Sequence, residues 1–262
     1  MNKLSLMRPF SRMMWPAILL ALLLPAAPVV AVDTATVTDK MVNARLKEVE
    51  ASTSLDEETK GSLVEILNNA LGNLESTRSN KATTVAYTEA VKTAPKEAME
   101  IRQQLDSDIK AAREVTITAT KASPFNEIER ELLQEKANLA AVKTKLEDFQ
   151  TRLESAKARP AAIQQQLLAA NQGKDDLESR LKLPPAEGEL PWLTEARRWA
   201  QTTRVAALRS EIAMLDHGLL SLPMRVELLE AQRDQAAHNV DRITARVKIL
   251  NELSTQKGSA EA

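Results

Sequence analysis

The sequence predicts an all-α fold, a long antiparallel coiled-coil helical hairpin preceded by a smaller helical segment. Three observations carry that reading. Apolar residues recur at alternating three- and four-residue steps through two long runs separated by one proline-rich turn. The 262 residues contain only six glycines, too few for a chain rich in turns and strands. Aromatics make up 3% against 44% hydrophobic residues, the composition of long helices packed through narrow aliphatic seams rather than of a broad globular core. The β-branched cluster Thr116-Ile117-Thr118 is the main exception.

Residues 1–31 have the three-part layout of a secretory leader: Lys3, Arg8 and Arg12, the apolar run Ala17–Leu24, then Pro25–Ala31. Val29 and Ala31 satisfy the small-residue rule, so cleavage is expected between Ala31 and Val32. Pro16, Pro25 and Pro28 leave an apolar stretch well short of the roughly 20 residues that a spanning helix needs. Without Lys3, Arg8 and Arg12 the remainder carries 32 basic against 36 acidic residues, a net charge of −4, which argues against a nucleic-acid partner. The chain has no cysteine, so packing alone must hold it together.

The segment 32–123 reads as three helical pieces. The first spans Asp39–Ala51. The second opens at Ser54-Leu-Asp-Glu57, which has capping-box spacing, and runs to about Ser76 with Leu63, Leu67, Ala70, Leu71 and Leu74 on one face. The polar stretch Ser76–Thr84 then interrupts the pattern. A third piece carries Val91, Ala94, Ala98, Ile101, Leu105 and Ala112, with Pro95 inside it as a kink or a restart.

Ser123-Pro124 marks a boundary, and the hairpin is expected over 124–253. Its first arm, 126–182, has Leu132, Leu139, Leu146, Leu153, Pro160, Leu167, Lys174 and Leu181 at one heptad position. Ile128, Glu135, Val142, Phe149, Ala156, Ile163, Ala170 and Leu177 occupy the other, so thirteen of sixteen are apolar and not proline. The turn is 183–191. The second arm, 192–253, alternates Val205, Leu208, Ile212, Leu215, Leu219, Leu222, Val226, Leu229, Arg233, Ala236, Val240, Ile243, Val247 and Leu250. Pro160 in one arm and Gly218 to Pro223 in the other are expected helix breaks; folding the arms about Glu187 sets residue 160 opposite about residue 214, so the two read as a shared bend or a split. Residues 254–262 are expected to fray as a disordered tail.

Few residues offer chemistry. His217 and His238 each lack a second histidine nearby or any cysteine to complete a metal site, with His238 expected to be solvated. There is no glycine-rich phosphate loop and no Ser-His-Asp set, and Asp175, Asp176 and Glu178 belong to a charged helix face. No enzyme activity, cofactor or small-molecule substrate is expected. Trp192 and Trp199 stand seven residues apart, on one helix face just past the turn, where they either meet a protein partner or plug the tip. Lys174 and Arg233 at core positions either set register or snorkel.

Three stretches carry a family likeness: Lys92-Thr-Ala-Pro95-Lys-Glu97, Arg159-Pro160-Ala-Ala-Ile-Gln164, and Leu220-Ser-Leu-Pro223 continuing to Gln232-Arg-Asp234. The chain from about Val37 to Leu253 resembles the periplasmic helical region, or MscS porin domain, at the N-terminus of large MscS-type mechanosensitive channels such as the potassium-dependent one. The resemblance implies a periplasmic scaffold or modulator in the osmotic stress response, partnered by inner-membrane channel subunits or by itself, with no pore in these residues. The other expectation is a free-standing periplasmic coiled-coil factor, a chaperone or envelope adaptor, that binds proteins.

Overall fold

Hydrogen-bonded turns begin at Thr38, whose hydroxyl caps the first helix by accepting from the Met41 N–H at 3.4 Å. The structure is a computed structural model that describes residues 36–111 and 117–261, with side chains to residue 259. The expected leader 1–31, its expected cleavage pair Ala31 and Val32, and Ala112 and Thr116 lie outside the described residues. Among the described residues there are four helices and no strand: α1 (Asp39–Ala51), α2 (Glu57–Lys110), α3 (Phe125–Leu181) and α4 (Pro191–Glu261).

The second helix differs from its expected outline in two ways. Its cap is Asp56, which accepts from the Thr59 N–H at 2.7 Å; Ser54 instead pairs with Ser52. The polar stretch Ser76–Thr84 does not interrupt it, because its hydroxyls find helical partners. Ser76, Thr77, Thr83 and Thr84 each donate to the carbonyl four residues back, so their polar groups are satisfied without leaving the helix.

The hairpin arms form as the heptads require. All sixteen heptad positions of α3 are buried or half-buried. Glu135, one polar exception among them, pairs with Arg246 of α4 at 3.4 Å. Lys174 and Arg233 stay partly exposed and bond to Asp175 and Asp234, so they snorkel rather than reach across. The turn closes through Glu189 N–H to the Ala186 carbonyl at 3.2 Å, with Gly188 at φ +79.

The register of the arms corrects the expected one. Gly173 meets Leu208, Glu178 pairs with Arg209, and Lys157 pairs with Glu230, which puts Pro160 level with Pro223 rather than with residue 214. The fold axis is displaced because α4 already begins at Pro191. Helix α2 runs through Pro95, α3 through Pro160, and α4 through Gly218 and Pro223, so none of these four residues ends a helix. The expected tail is also corrected: α4 continues to Glu261, because Ser254 donates to Glu129 and Gly258 sits against Phe125, both at the start of α3.

Helix α2, part of the segment 32–123 expected to precede the hairpin, lies along it. Asn73, Asn80, Thr88 and Arg102 of α2 contact α4 near residues 200–203, 207–210, 217 and 227, so the two helices run parallel. Val37–Ala262 forms one compact unit. Helix α4 therefore carries two seams. Val205, Leu208, Leu215, Leu222, Ile243 and Leu250 are buried at its heptad positions, Leu208 meeting Gly173 and Leu250 meeting Ile128 and Leu132 of α3, each large aliphatic contributing about 1.5–3 kcal/mol. Ala196, Thr203, Ala207, Ser210 and Ser221 are also buried, and they occupy heptad positions that the α3 seam does not use. Among the described residues, α2 and α3 consequently pack along α4 and not against each other, a three-helix layer with α1 packed at one end.

Candidate functional site

At the hairpin tip, α1 is held against α2 and the start of α4. Val42 and Val49 of α1 share a core with Leu63, Leu67 and Ala70 of α2 and Ala196 of α4. Asp39 and Arg78 form an ion pair between α1 and α2, which raises the arginine above its ordinary value. Asp56 is held below the usual carboxylate range by the Thr59 N–H and then by the Thr59 hydroxyl.

Trp192 and Trp199 are both half-buried here. The Arg45 guanidinium lies 5.0 Å from the Trp192 ring centroid and 5.8 Å from that of Trp199. It also reaches Glu195 at 2.5 Å and Glu48 at 2.7 Å. The structure thus brings the two tryptophans together on one face and sets an arginine of α1 over them.

Farther from the tip, the small-residue seam between α2 and α4 is a ladder of polar contacts repeating every seven residues along α4 and every seven or eight along α2. Asn73 donates to the Ala200 carbonyl at 3.2 Å and to the Thr203 hydroxyl at 3.3 Å. One heptad on, Asn80 donates to the Ala207 carbonyl at 3.4 Å and to the Ser210 hydroxyl at 3.2 Å. Next, the Thr88 hydroxyl and His217 Nδ1 lie 3.0 Å apart. Asparagine at such positions fixes which residue faces which, because a shifted helix would strand its amide.

The ladder ends at Tyr87. Its ring packs over Gly218, where a Cβ would lie 3.2 Å from the ring, and Arg225 stacks on it at 4.6 Å from the centroid. Arg225 also donates to the Gly218 carbonyl at 3.3 Å. Sequence reading missed this seam because it searched for large apolar residues. The usable signal was the seven-residue recurrence of Asn73 and Asn80 alongside Thr203, Ser210 and His217.

The histidines do not meet. His217 is taken up by Thr88, and His238 is half-buried rather than solvated. Among the described residues no three His, Asp or Glu side chains cluster as metal ligands.

The family described as the mechanosensitive ion channel porin domain matches residues 45–262. The chain belongs to that family. The match takes in most of α1, all of α2, α3 and α4, and therefore both seams of this porin domain. It ties the chain to mechanosensitive channel systems. No curated protein and no solved structure matches the porin domain seen here. Among the described residues, no helix is long and apolar enough to cross a membrane.

Proposed function

We propose that this chain is a non-enzymatic periplasmic scaffold of an MscS-type mechanosensitive channel, modulating its assembly or its response to tension under osmotic stress. The family match over residues 45–262 is the observation that carries the reading. The elongated geometry supports it: α4, 71 residues long, has α2 and α3 packed along it, so the domain can connect contacts made at its two ends. Conduction belongs to partner subunits in the inner membrane, and the contacts are with those subunits or with further copies of this chain. Export by the leader 1–31, with cleavage between Ala31 and Val32, puts the domain in the periplasm.

The test is patch-clamp recording and native gels on the native channel with and without residues 45–262. A changed tension threshold or a changed oligomer supports the reading, and if both stay the same it is abandoned. The alternative reading is a free-standing periplasmic coiled-coil factor, a chaperone or envelope adaptor, that binds proteins. A soluble periplasmic form that retains unfolded outer-membrane proteins in pull-downs would favour that second reading.

A further inference from the structure

The two registers of α4 bring one residue type to a single level. On the α2 side, the Thr88–His217 and Arg102–Glu227 contacts bracket Pro95 and set it opposite the turn that contains Pro223. On the α3 side, Gly173–Leu208 and Lys157–Glu230 bracket Pro160 and set it opposite the same turn. Pro95 and Pro160 are the only prolines inside α2 and α3, and Pro223 the only one beyond the first residue of α4. All three long helices thus carry their internal proline in one cross-section.

A proline has no N–H to give, so the carbonyls of Val91, Ala156 and Leu219 lose their helical donor. A long helix bends where its ladder is interrupted. Two continuous helices packed beside such a site would splint it. Here each neighbour is interrupted at the same height, and among the described residues the one other helix, α1, packs away from this level at the tip. At this level Ala94, Ala98 and Ser221 of the α2–α4 contact are small and buried, and the larger contact beside them is the Tyr87–Arg225 stack over Gly218.

We propose that the Pro95–Pro160–Pro223 level is a flexural hinge, about which the tip half and the distal half of the layer swing as two stiff arms. The inference concerns the mechanics of the chain and stands whether or not a channel is its partner.

Because the chain has no cysteine, paired spin labels test it directly. Labels at Ala213→Cys and Asp241→Cys, both exposed on α4, span the level at roughly 42 Å if the helix is straight. Labels at Lys136→Cys and Thr151→Cys on α3 lie within the distal arm, roughly 22 Å apart, and serve as the reference. The expected result in the full chain is a broader electron–electron distance distribution across the level than within the arm. The excess width should be lost in the Pro95→Ala/Pro160→Ala/Pro223→Ala variant. Pro160→Ala alone should narrow the distribution in part, since one restored helix splints the others, and this single variant carries the test if the triple one misfolds. Equal widths in the two wild-type pairs, or no narrowing on substitution, would overturn the hinge.

Discussion

Asn80 donates to the hydroxyl of Ser210 at 3.2 Å, across a parallel seam and one heptad beyond the matching contact of Asn73 with Thr203. Pairs of this kind hold α2 in register, since the seam has few large side chains to do so. Asn80→Ala should cost about 1–2 kcal/mol in denaturant unfolding, for two lost hydrogen bonds of modest net worth. Asn73→Ala should cost a similar amount. Ser210 keeps its bond to the Ala207 carbonyl at 2.7 Å, so its hydroxyl is not stranded. No loss in either variant would mean that the ladder does not stabilise the seam.

Glycines at two sites should respond with different sign. At Gly72 an added Cβ meets nothing within 4 Å, so Gly72→Ala should stabilise α2 by roughly 0.5–1 kcal/mol. At Gly218 the Cβ would press on the Tyr87 ring at 3.2 Å, and the same gain in helix propensity is offset by crowding of roughly 1–3 kcal/mol. Thermal melts should therefore rank Gly72→Ala above wild type and Gly218→Ala below it. Tyr87→Leu should relieve part of the second effect.

Arg45 should be what closes the tip over the tryptophans. Arg45→Ala removes two cation–π contacts, each worth about 0.5–1 kcal/mol at such sites, together with the ion pair to Glu195. In a Trp15→Phe background, which leaves Trp192 and Trp199 as the only indoles, emission should shift to the red and become easier to quench. An unchanged spectrum would show that α1 covers the rings without its arginine.

Asp56 links stability to pH. Its carboxyl is depressed in the folded chain by the Thr59 N–H, so its contribution is full above the unfolded value of about 4 and is lost as pH falls through the depressed value. Asp56→Ala should lower the melting temperature at pH 7, and the gap from wild type should close on acidification. A gap that persists at low pH would assign the effect to something other than the charged cap.

The long-range order of this chain was only partly legible in its sequence. The all-α class, the turn at 183–191 and the α3–α4 seam follow from large apolar residues at heptad spacing, since burying a leucine stripe is the dominant local free-energy gain and its period shows directly. Helix α1 was legible for the same reason. What the sequence alone did not determine was the place of α2, whose middle is polar and reads as an interruption. That stretch is helical because its hydroxyls bond back along their own helix and its asparagines bond across to α4, and the partner for those amides exists only once α4 is folded beside them. Tertiary structure also decided that Pro95, Pro160 and Pro223 share a level. Their positions along the chain were plain, but their common height depends on one parallel and one antiparallel register, and each register is set by contacts between residues more than thirty positions apart.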